Sequence, residues 1–439
     1  MDTRPASLSD YFRLVRGNRN FRLLWFAQIV SEQGDWMYAV AVYSLLLEFT
    51  GSAKYVAFAF VLQVLPQFFV APAAGVLNDR ISRKKVMICA DWSRAAIVLC
   101  MLLVRGPQLL WLLYILLFLE TVFWALFEPG RSAVIPNIAA ERDLVVANTL
   151  SATTWSFNFA MGFAVGGVIA AYFGRGVFVL NSLSFVLSAL LIRSMRFAEP
   201  HAENLPPLAL RDLTGFSPIR EGIRYVWKDR RLRVTILVKA GLGLMGANWV
   251  LLPIFGERVF AIRPTGFDKR QAGMLGMSLL MACRGIGALF GPILSSFWVA
   301  GLEKRMRWGI LFGCFAGAAG YIVLGHAPNL AVACAGVTLA HSGSAMMWVY
   351  STTLLQRQTE DRYRGRVFAA ESAFMVLTMS LSSYYAGTLI DHAVPVQSVA
   401  TLTGLLMLAP ALLWGLALVT WKQPESASSR DTSGVAEVE

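Results

Sequence analysis

Twelve membrane-spanning helices in two six-helix halves are expected of this chain, which reads as an all-α polytopic membrane protein. Its composition, its long apolar runs and the placement of its basic residues each point there. Of 439 residues, 56% are hydrophobic and 15% charged, too apolar a balance for an ordinary water-soluble domain. A helix needs roughly 20 apolar residues to cross a bilayer. In the first half such runs fall near 21–47, 54–77, 86–104, 108–130, 147–172 and 175–196. In the second they fall near 232–256, 271–298, 307–326, 330–354, 366–390 and 399–421. No long polar domain is left over, so function belongs to the helix bundle itself.

The net charge of +12 follows this alternation. With the N-terminus on the inner side, the inner segments hold 29 of the 39 Lys and Arg, the outer loops hold 7, and Arg94, Lys239 and Arg284 lie within spans. Basic residues accumulate on the cytoplasmic side of membrane proteins, which predicts both termini inside. Anionic lipid headgroups are the expected partner of these charges, and no nucleic acid is needed to account for them. The start, MDTRPASLSDYFRLVRGNRN, lacks the short apolar core of a cleavable signal peptide.

The five cysteines, Cys89, Cys100, Cys283, Cys314 and Cys334, sit in apolar spans without metal-like spacing and read as small packing residues. His201, His326, His341 and His392 are scattered, and there is no nucleotide loop or nucleophile constellation. An enzyme, a cofactor and a metal site are therefore not expected.

Residues 1–197 form the expected N-terminal half and 232–422 the C-terminal half. Between them, 198–231 opens with AEPHAENLPPL, a flexible composition. It continues with Ile219, Ile223, Val226 and Trp227 at helical spacing against a basic face. That pattern fits either a surface-lying amphipathic helix or an extension of the seventh span. The polar tail 423–439 is expected to be disordered. The segments RSAVIPNIAAERDLVVANTL and LQRQTEDRYRGRVFAAESAF occupy matching places after the fourth and tenth spans, as parallel repeats would.

Gly75 to Val86, GVLNDRISRKKV, packs Asp79, Arg80, Arg83, Lys84 and Lys85 between two apolar runs, which forces a tight turn at a membrane surface. It resembles the signature between helices two and three of major facilitator transporters, with Ser82 where a second glycine is usual. FRLLWFAQIVSEQGDW (21–36), FEPGRSAVIPNIAAERDLVVANTL (127–150) and LQRQTEDRYRGRVF (355–368) resemble the branch of enterobactin exporters and macrolide-efflux proteins. Asn158, Gly162, Gly166 and Gly167 partly match a glycine-rich exporter motif, with Phe163 in place of its proline.

The resemblance implies a major facilitator fold, alternating access and a gating role for the Gly75–Lys84 loop. In that role Asp79 accepts hydrogen bonds from a helix N-terminus across the two halves, while Arg80, Arg83 and Lys84 reach Glu360, Asp361 or lipid.

Charge is costly in hydrocarbon, about 2.5–3.5 kcal/mol at a helix centre, so an ionisable residue there lines a cavity or has a partner. Counting from Phe21, Glu32 and Asp35 lie about 16 and 21 Å along the first helix, on one face. Glu120 lies about 18 Å into the fourth helix and needs a partner from another helix. A carboxylate held away from water can take and release a proton in a working pH range, so Asp35, Glu32 and Glu120 are the candidate proton-coupling groups.

Arg284, about 20 Å into the eighth helix, is the candidate to bind an anionic substrate group or to lock one of those carboxylates. Asp91 with Arg94 and Glu128 with Arg131 read as local i,i+3 pairs, Lys239 and Glu371 as inner-end residues, and Asp391 and Glu48 as solvated outer-end residues. The cavity wall is expected to include Trp36, Tyr38, Gln63, Gln67, Trp124, Trp155, Asn158, Asn248, Trp249, Trp348 and Tyr350, a lining suited to a bulky amphiphile.

These readings converge on a monomeric secondary transporter of a bacterial inner membrane that exports a small drug-like or siderophore-type molecule against protons. The alternatives are a lysophospholipid or other lipid transporter and a non-transporting sensor or scaffold.

Overall fold

The computed structural model describes residues 8–199, 217–299 and 302–420. A short amphipathic helix, α1 (Leu8–Gly17), precedes α2 (Arg19–Thr50), where the Asn18 side chain accepts from the Phe21 amide and caps the start. Gly51 ends α2 at a φ of +61°, a left-handed conformation that glycine adopts without strain. The first half continues through α3 (Ala53–Arg80), α4 (Arg83–Cys100), α5 (Leu110–Ile138), α6 (Leu144–Phe173) and α7 (Gly176–Arg193). Ser82 caps α4 through the Lys85 amide, which gives this position a use that the usual glycine would not serve.

Residues 200–216 of the expected linker lie outside the described residues. Beyond them, α8 (Ser217–Lys228) is a helix of its own rather than a continuation of the next span. It stops at Asp229, whose side chain caps α9 (Arg230–Leu242) through the Arg231 amide. Val226 of α8 is buried against Leu232, Ile236, Leu355 and Val367, so the helix is docked on the bundle.

The second half runs through α10 (Asn248–Ile254), α11 (Lys269–Val299), α12 (Glu303–Gly325), α13 (Leu330–Gln358), α14 (Asp361–Asp391), α15 (Val396–Leu406) and α16 (Leu408–Val419). The seventh span, Arg230–Val259, is broken by a 3₁₀ turn at Gly243–Ala247 and a π turn at Phe255–Val259. Such departures from α geometry occur where a membrane helix serves a site rather than only packing. The tail 423–439 lies outside the described residues.

Eleven helical segments among the described residues are long and apolar enough to cross a membrane. The remaining long helix, α2, has 32 residues, about 48 Å at 1.5 Å each, and its apolar run is interrupted by Glu32, Gln33 and Asp35. The bundle's outer surface carries Phe297, Leu294, Leu412, Leu416 and Val419, all well exposed, as hydrocarbon contact requires. Cys283 and Cys314 are buried, but Cys89 and Cys100 face outward rather than filling the interior.

Candidate functional site

Among the described residues, the hydrogen bonds and ion pairs between the two halves gather at the end of the bundle remote from the termini. The Asp391 carboxylate, at the end of α14, accepts from the first amides of α3, Ala53 at 2.8 Å and Lys54 at 3.2 Å, and from the Ser52 hydroxyl. Arg270 pairs with Glu48 at 3.0 Å, Arg258 donates to the Gly51 carbonyl at 2.6 Å, and Gln271 donates to the Ala171 carbonyl at 2.8 Å. Asp391 and Glu48 are therefore cross-half contacts and not simply solvated groups.

The arrangement expected of Asp79 occurs instead at Asp391. Asp79 is 76% exposed and sits 3.6 Å from Arg83 within its own loop. Arg83 and Lys84 also work inside the first half. Arg83 donates to the Asn78 and Ala133 carbonyls, and Lys84 donates to the Met195 carbonyl, tying the α3–α4 turn to α5 and the end of α7. A Cβ at Gly75 would meet nothing within 4 Å, so no neighbour crowds it.

Replacing Asp391 with alanine removes the acceptor for the α3 N-terminus, at a cost of about 1 kcal/mol, and opens the remote end more often. In a variant without native cysteines, a cysteine at position 171 should then be labelled from that side about fivefold faster, by the usual factor for such an energy. An unchanged rate would mean that Asp391 does not hold this end shut.

In the middle of the first half, Arg94 of α4 is fully enclosed and shared by three carboxylates. It donates to Asp35 of α2 at 2.6 Å and to Glu120 of α5 at 2.9 Å, and it lies 3.8 Å from Asp91 one turn back on its own helix. Its guanidinium stacks on the Phe185 ring at 4.0 Å. Asp91 also accepts from the Ser188 hydroxyl at 2.6 Å, which ties α7 to the group.

The expected local pairing of Asp91 with Arg94 is thus the longest of the three contacts, because the arginine fork reaches two nearer carboxylates on other helices. Asp35 is the member of this group closest to solvent, at 18% exposure against 8% for Glu120 and 0% for Asp91. Its second oxygen, Oδ1, has no hydrogen-bond partner.

One turn towards the N-terminus, Glu32 accepts from Gln28 at 2.9 Å and from Asn158 of α6 at 2.8 Å. Asn158 in turn accepts from Gln33 at 3.0 Å. Gln28 accepts from Arg131 at 3.1 Å, and Arg131 pairs with Glu128 as the sequence spacing indicates. A chain of polar groups therefore runs from α5 through α2 to α6.

Arg284 of α11 stands apart from both groups. It touches none of Glu32, Asp35 and Glu120, so the expected lock is not formed here. Its guanidinium lies instead between the rings of Phe159 and Trp249, 4.3 Å from each. The cause is backbone packing: a Cβ on Gly285 would come within 2.7 Å of the Ala160 Cα, so glycine lets α11 lie directly on α6 and carries Arg284 over the neighbouring Phe159.

The cavity candidates divide in the same way. Trp36, Trp155, Phe159, Phe163 and Trp249 form one aromatic cluster, with Trp36 stacked on Trp249 at 6.3 Å and edge-on to Trp155 at 5.8 Å. Asn248 is buried beside this cluster in sequence and donates to the Met245 carbonyl. Gln63 and Gln67 bond along α3, with Tyr43 donating to Gln63 at 3.5 Å.

Trp124 is partly buried on α5, and Tyr38 packs on Phe178. Trp348 lies away from the cluster under Lys239, which is itself buried in an ion pair with Glu371 at 2.7 Å rather than extended to the membrane surface. Tyr350 bonds the Ser295 hydroxyl.

Arg94 is the residue that sequence reasoning undervalued. Counted from Arg83, it lies about 16 Å into α4, at mid-membrane depth like Asp35 and Glu120, and that depth could have matched it with them. Gln28 and Arg131 carried no such signal, since amides and inner-end arginines are common.

Solved transporters share this fold. The nucleoside transporter NupG aligns at a TM-score of 0.69 and 12% identity over 92% of this chain and 99% of that one. A bacterial homologue of the human lysosomal transporter Spinster, in an inward-facing and unoccupied conformation, aligns at 0.68 and 13% over 94% and 98%. Together with the family match, this fold defines an integral membrane protein of the major facilitator class. Within that class, the family described as transmembrane secretion effector matches residues 15–437, and the chain belongs to it.

Among curated relatives, macrolide efflux protein A of Streptococcus pyogenes is 25% identical over 401 residues, 90% of this chain and 94% of that protein. The multidrug efflux pump Tap of Mycobacterium bovis is 27% identical over 390 residues, 84% and 87%. An uncharacterized MFS-type transporter of Bacillus subtilis, YkuC, is 24% identical over 372 residues, 83% and 84%.

Proposed function

We propose that this transporter exports a small amphiphilic compound in exchange for protons, by alternating access, from a bacterial inner membrane with both termini cytoplasmic. The observation that carries the reading is the sharing of one buried guanidinium, Arg94, by Asp35, Glu120 and Asp91. Three carboxylates against one cation leave an excess of negative charge in a site remote from bulk water, and that excess favours proton uptake.

Asp35 is the group that takes the proton, because it is the nearest of the three carboxylates to solvent. Protonation weakens its hold on Arg94 and frees α2 relative to α4. Glu32, one turn away on the same helix, passes that movement to Asn158 on α6, next to the aromatic cluster where an apolar compound would lie. The names of the relatives, a macrolide efflux protein and a multidrug pump, support export of such a compound.

Inside-out vesicles with an acidified lumen and a pH-sensitive dye test this directly. Addition of lipophilic drugs, or of catecholate and carboxylate siderophores, should release luminal protons for at least one compound and only when the protein is present. Compound movement that requires sodium and leaves the pH gradient untouched would contradict the proton reading.

A further inference from the structure

Arg94, fully buried, and Arg284, partly buried at similar depth in the bundle, have opposite surroundings. Arg94 has three carboxylates. Arg284 has no carboxylate or hydrogen-bond acceptor among the described residues, and its Nε is enclosed without a partner. The ionisable groups nearest its charge are the Tyr43 and Tyr321 hydroxyls and the His341 ring, none of which supplies a formal negative charge there.

Two further donors beside it are also unsatisfied. The indole Nε1 atoms of Trp36 and Trp249 are both buried without an acceptor. The three groups belong to one cluster: Arg284 lies on the Trp249 ring at 4.3 Å, Trp249 stacks on Trp36 at 6.3 Å, and Phe159 touches all three. A guanidinium and two indole N–H groups, all donors, therefore belong to one aromatic cluster, whereas the enclosed cations Arg94 and Lys239 are paired with carboxylates. Leaving such donors unmet inside a membrane is costly, and a bound anion with an apolar body would satisfy all of them.

We propose that Arg284, Trp36 and Trp249 form an anion subsite, and that the transported amphiphile carries a carboxylate beside a flat apolar portion. This rests on the exporter reading and narrows it. The carboxylate takes the Arg284 fork, and the flat portion lies against the partly exposed rings of Trp36 and Trp155 in the same cluster. The site spans both halves, since Trp36 and Phe159 come from the first and Trp249 and Arg284 from the second, so a bound anion bridges the elements that must move relative to one another. A cationic drug meets the wrong charge at this position.

The test is equilibrium binding to the full chain in lipid nanodiscs, by calorimetry against empty nanodiscs. The probes are 2-naphthoate, the neutral 2-naphthylmethanol and the cationic 2-naphthylmethylammonium, which share one ring system. Naphthoate should bind at least about tenfold more tightly than either of the others, the size of one charge-assisted contact. Arg284→Gln should abolish that preference, and Arg284→Lys should retain part of it, because the charge stays and the fork is lost. Should Arg284→Gln fail to fold, Trp249→Phe keeps the ring, removes one donor and should weaken naphthoate a few-fold while sparing the alcohol.

Equal binding of the three probes, or a naphthoate preference unchanged in these variants, overturns the subsite and would mean that water alone meets these donors. The exporter reading fails separately. Compound-driven proton release without a naphthoate preference removes only the subsite. A naphthoate preference that depends on Arg284, with no compound moving protons, leaves an anion site on a protein that is not a proton-coupled exporter.

Discussion

Replacing Asp35 with asparagine should abolish proton-coupled transport while leaving the protein folded and able to bind its compound. The amide keeps the shape of the side chain and can still accept from Arg94 through its oxygen, but it cannot be protonated. In energised vesicles the initial rate of compound-driven proton release should fall by at least about a hundredfold, the scale of losing a positioned proton-transfer group. Exchange of labelled for unlabelled compound, which needs movement of the loaded carrier but no net proton transfer, should survive. Glu120→Gln should fall less steeply, because Glu120 is more deeply enclosed and holds Arg94 through closely placed contacts. Full coupling in the Asp35→Asn variant would remove Asp35 from the proton path.

Replacing Arg94 with methionine should have the largest effect on stability. Methionine fills much of the volume and can pack on Phe185, but Asp35, Asp91 and Glu120 lose their shared cation. Removing one partner of a buried ion pair costs about 3–5 kcal/mol because a buried charge is left uncompensated. Thermal unfolding in detergent should show that loss at neutral pH. The deficit should shrink in acid, where protons neutralise the three carboxylates in place of the guanidinium. Arg94→Lys should be intermediate, since one ammonium cannot serve Asp35 and Glu120 with the geometry of the planar fork. A methionine variant as stable as the parent at neutral pH would mean that these carboxylates are already neutral, and the charge excess on which the coupling proposal depends would vanish.

Much of the architecture could be read from the chain because hydrocarbon imposes a simple rule on sequence. Apolar runs of sufficient length and an uneven distribution of Lys and Arg are large signals, visible without knowing any contact. The first span is expected from the sequence although Glu32 and Asp35 interrupt it; in the structure it is one 32-residue helix, without the continuous apolar stretch that the eleven other spans have. The motif words in residues 21–36, 127–150 and 355–368 pointed to the branch in which macrolide efflux proteins stand, and the relatives agree.

The site was only partly legible, for a geometric reason. Sequence gives depth along a helix but not which helices face one another. Depth singled out Asp35, Glu120 and Arg284 as three charges of similar level, and pairing opposite signs across the halves was the simplest guess. The structure instead supplies Asp35 and Glu120 with Arg94 from within their own half, and it leaves Arg284 among rings. What decided this lies outside any single segment: Gly34 lets α7 approach α2, where a Cβ would meet Asn181 at 2.2 Å, and Gly285 lets α11 lie on α6. The Asp391 cap was missed similarly, because a carboxylate at a helix end looks solvated until the partner helix N-terminus is placed beside it.

Compound binding and protonation of Asp35 are expected to be linked. The most direct measurement is proton release by the purified protein in weakly buffered solution near neutral pH, on addition of a compound found active in the vesicle screen. The parent should release a proton on binding, up to about one per protein molecule as expected for a single coupled site, and the Asp35→Asn variant should bind the compound and release none. Equal release by parent and variant, or saturable binding with no release by the parent, would contradict the account.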